Sequence, residues 1–389
     1  MARKFATPRV PKVALLLETS TEYGRGLLRG IVRYSRLHGP WSLYVAPGHI
    51  EQALPKVRSW YGDGIIGRTY TPKMFRTIDA KALPFVASSL DELTPENGRR
   101  KFCEIRTNSN AIAHLAADHL LGCGLRRFGF CGFIDCPWSF RREQAFKDYL
   151  QTKGFHCDTH RIKPASWMQM PGWMQTWQHE QPVISKWLKS LPKPVGLMAC
   201  NDVCGREMLQ ACAAAELDVP DDVAVVGVDN DELICDLSAP PLSSVALSLV
   251  TAGYQAARLL DGLMSKKLRG KHVVYVEPVS VATRQSTDVI AVDDPMVVSA
   301  LRFIRDHAAK PISVTDVVDK VGASRRTLER RIRRAIGRSI LTEMNRSRLA
   351  RAKQLLLETG CSCRQVGEKA GFNSVKTLVP PQNLWVERG

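Results

Sequence analysis

The chain lacks any apolar run long enough to cross a bilayer. Its early run VALLL at 13–17 falls far short of the roughly 20 residues that a spanning helix needs. The start, MARKFATPRVPK, is basic, but neither a signal-peptide core nor a small-residue cleavage site follows it. A cytoplasmic protein with no membrane partner is expected. Cysteine is present without a pairing pattern: eleven cysteines, an odd number with no secretion signal, suit reduced thiols at core positions. Cys200 with Cys204, and Cys361 with Cys363, have no second pair at zinc-site spacing, so no metal or cofactor is expected. Catalytic signatures are missing too, with no GxSxG, P-loop or HExxH. Gly24, Gly26 and Gly30 follow a strand and open a helix, as in a dinucleotide-binding turn. ETSTEY separates them from the strand end, however, and the second strand, WSLYVAPG, ends without an acidic residue for a ribose. An enzyme is not expected.

What is present in excess is positive charge. The 389 residues are 44% hydrophobic and 24% charged, ordinary values for two or three folded domains, yet the formal net charge is +17. Such a balance implies a polyanionic partner, and without an amphipathic membrane helix that partner is nucleic acid. Arginine crowds the last quarter. Within it, SVTDVVDKVGASRRTLERRIRRAIG (313–337) has the form of a helix-turn-helix. Val314, Val317, Val318 and Val321 recur at helical spacing and stop at Gly322. Ser324 can cap a second helix whose Leu328, Ile332 and Ile336 share a face, leaving the arginines outward. A solvated amphipathic helix is the bland alternative, but the run is almost entirely of one sign and follows a short turn. Base edges are expected to meet Arg325, Arg326 and Arg330, with Glu329 accepting from a cytosine. Phosphates are expected to meet Arg333, Arg334 and Arg338, and Ser324, Ser374 and Lys376 complete the expected DNA-binding set.

Upstream, short apolar runs alternate with helical patterns, which predicts parallel sheets covered by helices. VALLL, WSLYV (41–45), GIIG (64–67), PFVAS (84–88), RFGFCG (127–132), VGLMAC (195–200) and VAVVGV (223–228) read as strands. Helices are predicted over 23–39, near 51–60 and over 111–124, and late strands over 273–284. The polar stretch 285–295 looks like a linker, and helices follow at 296–308, 314–321, 324–336, 339–358 and 362–370.

HLLGCGLRRFGFCG, Asn201-Asp202 after GLMAC, DVPDDVAVVGVDN, PPLSSVALSLVTAGYQAARLL and PVSVATRQST resemble the sugar-binding domain of the LacI/GalR repressor family. The resemblance covers 13–287, behind an N-terminal extension at 1–12. It implies a periplasmic-binding-protein-like sensor of two Rossmann-like lobes, with crossovers near 104–107, 229–244 and 279–284. Asn108 stands where that family more often has aspartate, a position that is usually structural. The resemblance implies a ligand held by Arg142, Asp202 and Asp229, with Thr19, Tyr23, Ser88 and Trp138 at the cleft mouth. Other readings stand beside these. Asp229 can cap a turn, Asn201 can be structural, Trp173 and Trp177 can be packing, and only motif register separates Arg142 from Arg141.

After a linker at 288–295, residues 296–378 resemble the all-α double helix-turn-helix domain of the AraC family, through Leu328, Arg330, Ile332, Gly337 and the motif GFNS (371–374). Beyond Leu378 the chain departs into VPPQNLWVERG (379–389), and Pro380 and Pro381 cannot lie inside a helix. The second recognition helix is therefore expected to be incomplete, and Val366, Ala370 and Phe372 to lose packing partners. The domain order, sensor first, resembles the family of xylose operon regulators. It implies a homodimeric activator that senses a pentose, D-xylose first, binds direct-repeat half-sites on double-stranded DNA and engages RNA polymerase. The alternative is a sugar-binding protein whose DNA-binding domain is defunct.

Overall fold

A computed structural model describes residues 9–45, 60–68, 72–88, 103–134, 136–163, 173–289, 294–358 and 362–372. The helix predicted near 51–60 falls almost wholly outside them, as do Ser374, Lys376 and the divergent tail. Two compact units divide the chain, Met1–Val289 and Ile290–Gly389.

The first unit holds two six-stranded sheets, one per lobe. The chain lays down β1 (Lys12–Leu16), α1 (Glu22–His38), β2 (Ser42–Val45), β3 (Gly64–Arg68), α2 (Pro72–Asp79), β4 (Phe85–Ser88) and β5 (Cys103–Thr107) in lobe 1. Lobe 2 follows with α3 (Ser109–Gly122), β6 (Phe128–Phe133), α4 (Pro137–Thr152), β7 (Cys157–Ile162), α5 (Trp173–Ser190), β8 (Val195–Ala199), α6 (Asp202–Ala214), β9 (Val223–Asp229), α7 (Glu232–Asp236) and β10 (Ser243–Leu247). The chain then returns through α8 (Leu249–Met264) to add β11 (Val273–Val276) to lobe 1, and β12 (Pro278–Ala282) joins lobe 2. The strand orders are β11-β5-β4-β3-β1-β2 and β12-β10-β9-β8-β6-β7, so the two lobes repeat one topology. All pairings are parallel except β10 with β12. Interior strands such as GIIGR and VGLMA are buried at every residue, as parallel strands covered on both faces must be.

Three crossings join the lobes, at Asn108, Ser248 and Glu277, and hydrogen bonds stitch them together. Asn108 Nδ2 donates to Glu277 Oε2 at 2.8 Å, and the Glu277 amide donates to Ser248 Oγ at 2.9 Å. Asn108 also caps α3 by accepting from the Ala111 amide. The second crossing corrects the expectation of 229–244. β9, α7 and β10 all stay in lobe 2, because β10 pairs parallel to β9 with Ser243 opposite Val226. The third corrects 279–284 by a shorter step, since β12 is already paired to β10 from Pro278 onward. An apolar run announces a strand but not the sheet it will join. The glycines of the dinucleotide-like pattern serve packing: a Cβ on Gly30 would lie 2.1 Å from the Val250 carbonyl of α8, and one on Gly253 2.1 Å from Leu27 O. Residues 285–287, read as linker, instead form a 3₁₀ turn with Ser286 and Thr287 buried.

The second unit comprises α9 (Pro295–Asp306), α10 (Val314–Val321), α11 (Arg325–Ile336), α12 (Ile340–Glu358) and α13 (Cys363–Lys369). Val297, Ala300, Ile304, Val317, Leu328, Ile332, Ile340 and Met344 form its main core. Ser313 and Asp316 make a reciprocal capping box at the start of α10, and Gly322 takes a left-handed φ of 67° that turns the chain toward α11. A second cluster joins Ala352 of α12 to Val366, Ala370 and Phe372, with Leu355 against it. These residues were expected to lose partners with the incomplete second recognition helix, which falls outside the described residues; Ala352 and Leu355 of α12 pack against them.

Candidate functional site

In a doubly wound parallel sheet, the carboxyl ends of the strands at the point where strand order reverses form a crevice suited to ligands. Both lobes place chemistry there. From lobe 1 come Glu18 after β1, Arg68 at the end of β3 and Ser88 at the end of β4. From lobe 2 come Trp138 and Arg142 on α4, Asp202 at the start of α6 and Asp229 at the end of β9.

Arg142 is 3% exposed. One of its terminal nitrogens donates to the Cys200 carbonyl, and the other lies 3.7 Å from Asp229 Oδ1. Its guanidinium stands 5.2 Å from the Trp138 ring centroid, while its Nε is buried with no hydrogen-bond partner. Arg68 reaches the same ring from lobe 1 at 5.9 Å, and covers Tyr23 at 4.8 Å. Asp229 Oδ1, Glu18 Oε2 and Asp231 Oδ1 are likewise buried without hydrogen-bond partners. Burial pushes the Asp229 carboxyl up to about 6, with Arg142 and then Arg68 pulling it down. Arg68 stands 3.5 Å from Glu18 Oε2 and Arg142 3.7 Å from Asp229 Oδ1, but buried polar atoms left without a hydrogen bond cost free energy unless a ligand satisfies them. Hydroxyl groups, which donate and accept, match that set, and the Trp138 face suits an apolar C–H surface.

The remaining expected residues are placed differently. Asp202 is 2% exposed and already occupied: its Oδ2 accepts from the Asp231 amide at 2.7 Å and its Oδ1 from the Ser244 hydroxyl. Burial first, then the Asp229 charge, raises its carboxyl well above the usual range. It positions the turn after β9 rather than facing the cleft. Tyr23 and Ser88 share a buried hydroxyl pair at 3.1 Å. Thr19 is exposed, and its carbonyl accepts from Arg25 at 3.2 Å. Asn201 caps α6 by accepting from the Cys204 amide. Glu18, Arg68 and Asp231 were missed by sequence reasoning. A charged residue closing an apolar strand run, as in VALLLE and GIIGR, was the available signal.

In the second unit, α11 buries Leu328 and Ile332 and leaves Arg325, Arg326, Arg330 and Arg334 exposed. None of these four has an ion pair with another described residue. Ser324 accepts from the Thr327 amide at 3.2 Å, so it works as the helix cap. Glu329 is partly engaged, 3.9 Å from Arg333 and accepting from the Ile340 amide at 3.4 Å, which ties α11 to α12. Arg338 pairs with Glu343. Arg331 is bound by both oxygens of Asp294, the cap of α9.

A periplasmic binding protein-like domain family matches residues 117–287, and a helix-turn-helix domain family matches residues 317–379. A ligand-sensing domain followed by a helix-turn-helix defines the class: a DNA-binding transcription regulator. The xylose operon regulatory protein of Escherichia coli K12 is 30% identical over 373 residues, covering 94% of this chain and 92% of the relative. That of Haemophilus influenzae is 31% identical over 374 residues, covering 95% and 94%. The chain belongs to the xylose operon regulatory protein family. Among solved structures, that of the xylose-binding transcription activator xylR matches with a TM-score of 0.74 at 29% identity, covering 95% of this chain and 93% of that one. The regulator CelR bound to cellobiose shares the sensor fold, at a TM-score of 0.58 and 19% identity over 72% of this chain and 86% of that one. These relatives are transcription regulators, not enzymes. No helix among the described residues is long and apolar enough to cross a membrane.

Proposed function

We propose that the first unit binds a neutral pentose, D-xylose in the first instance, and that the bound sugar controls how a homodimer of the chain engages direct-repeat sites on DNA. The observation that carries this reading is the set of Arg142 Nε, Asp229 Oδ1, Glu18 Oε2 and Asp231 Oδ1, all buried without a hydrogen bond, although Arg142 and Arg68 stand within ion-pair range of Asp229 and Glu18. Paired sugar hydroxyls satisfy them, with Trp138 covering one sugar face and the Tyr23–Ser88 pair bracing the wall behind. Thr19 borders the opening, and Asp202 acts through the turn it holds. Sugar favours the closed arrangement of the lobes only as far as it binds that arrangement better.

On DNA, Arg325, Arg326 and Arg330 read base edges, while Arg334, with Arg333 and Arg338 released from their acidic partners, meets phosphate. Ser374 and Lys376 belong to the second motif. The protein acts in the cytoplasm, in contact with RNA polymerase, as an activator, and the name of its structural relative supports the activator part of this reading. Fluorescence anisotropy on promoter DNA beside its own gene, at fixed salt and with or without D-xylose, tests the reading. Tight binding that changes with sugar supports it. Weak, sequence-blind and sugar-insensitive binding refutes it, and calorimetric binding of D-xylose in that case would point to a sugar-binding protein with an inactive DNA unit.

A further inference from the structure

The turn after β9 carries three consecutive polar residues that face three different parts of the molecule. Asp229 faces the cleft and Arg142. Asn230 turns away, and its Oδ1 accepts from Arg284 Nη1 at 2.9 Å. Asp231 reaches across to lobe 1, where its Oδ2 accepts from Arg25 Nη2 at 2.6 Å and from the Glu22 amide at 2.9 Å. The backbone here is strained, with φ of 103° at Asp229 and 51° at Asn230, a region that non-glycine residues seldom occupy. It is held from below by Asp202 on the Asp231 amide and by Ser244 on the Asn230 amide at 3.0 Å.

Arg284 is the second half of the arrangement. Besides Asn230 it binds Asp236 Oδ1 through Nε at 3.1 Å and the Leu242 carbonyl at 3.1 Å. Its own backbone is clamped to Ser243, whose hydroxyl accepts from the Arg284 amide and donates to the Arg284 carbonyl. The Thr287 hydroxyl donates to that same Ser243 oxygen at 2.7 Å and lies 2.8 Å from His119 Nε2. The Ser286 hydroxyl donates to the Val225 carbonyl of β9. Residues 284–287 are thus tied on one side to the cleft turn and, on the other, lie within a few residues of the end of the first unit at Val289.

We infer that residues 229–231 and Arg284 form a relay: the turn registers the ligand through Asp229 and lobe closure through Asp231, and Asn230 passes both to the segment that leads to the helix-turn-helix unit. The relay rests on the ligand-controlled reading above. A ligand that repositions Asp229 moves Asn230 with it, because two successive left-handed residues leave the turn few alternative conformations. Arg284 must then follow or lose a charge-assisted hydrogen bond.

The test is amide hydrogen exchange on the full-length protein, comparing wild type with Asn230→Ala and with Asp236→Ala. Without sugar, Asn230→Ala is expected to speed exchange at residues 285–288 by about tenfold, the effect of losing one hydrogen bond to a charged group. Asp236→Ala removes a different contact of Arg284 and keeps Asn230. With D-xylose, wild type and Asp236→Ala are expected to change protection at 285–288, whereas Asn230→Ala is expected to change it only around the cleft. Unchanged exchange at 285–288 in sugar-free Asn230→Ala, or a full sugar response there in that variant, overturns the relay. A wild-type cleft that shows no response to D-xylose overturns the functional reading instead, and the sugar-free comparison still decides whether the turn and the segment are coupled.

Discussion

The raised Asp229 carboxyl makes sugar binding sensitive to pH. In the free protein this group titrates at about 6, because burial disfavours its charge more than Arg142 and Arg68 support it. A sugar hydroxyl donating to Asp229 Oδ1 needs the ionised carboxylate as acceptor, so binding selects the charged form. About nine tenths of the sites are in that form at pH 7 and about one tenth at pH 5, so affinity should fall about tenfold between them. Binding at pH 6 should release about half a proton. Isothermal titration with D-xylose, in buffers of different ionisation enthalpy, measures both quantities. The sign is specific: the folded group lies above its ordinary value, so weakening must appear as pH falls through 6, not as it rises. Asp229→Asn should bind weakly with a flat profile. A wild-type profile that stays flat from pH 7.5 to 5, with no proton released, would falsify the assignment of Asp229 as a charged acceptor.

Arg326 and Arg334 should separate by role. Arg326→Ala is expected to cost about 1–3 kcal/mol of discrimination between operator and altered sequence, while Arg334→Ala weakens both alike and lowers the salt slope by about 0.9. Competition anisotropy at several salt concentrations distinguishes the two. Glu207 is a buried carboxyl on α6, pushed up to about 8 by burial, with one oxygen lacking a partner. Its charged form therefore opposes folding as pH rises from its ordinary value through 8. Glu207→Gln, which leaves the same position unpaired as the neutral acid does, should stabilise the sensor by on the order of 3 kcal/mol at pH 7 and by almost nothing near pH 4.5. Denaturant melts at the two pH values read this directly, and equal gains at both would refute it. Leu328 is wholly buried beneath α11. Leu328→Ala should cost about 2–5 kcal/mol within the second unit, abolishing DNA binding while calorimetric sugar affinity stays unchanged.

Much of the architecture was legible because it is local. The alternation of short apolar runs with helical periods comes directly from strand and helix geometry, so nine of the twelve strands could be anticipated, while β5, β7 and β10 were not read as strands. The helix-turn-helix was clearer still. Gly322 and Ser324 act on their own neighbours and sit at helix ends where the pattern put them, and Ser313 adds a cap that the sequence reading did not name. Arg142, singled out over Arg141 by motif register alone, is the buried one of the pair in the structure.

What escaped the sequence depends on residues far apart in the chain. Asp202 and Asp229 look alike as acids at strand ends, yet Ser244 and the Asp231 amide hydrogen-bond to the first, while Oδ1 of the second has no hydrogen bond and the Arg142 charge 3.7 Å away. Glu329 looked like a free acceptor until α12 came to rest on it. The second crossing was misplaced because choosing between two sheets is settled by pairing with β9, not by the composition of β10. Local pattern determined the elements, their caps and the excess of positive charge, since each is dictated within a turn or two of backbone. Only the tertiary structure decided which polar groups are spent on one another and which are left facing a ligand, because a hydrogen bond is satisfied by whatever the fold brings within 3 Å, regardless of distance along the chain.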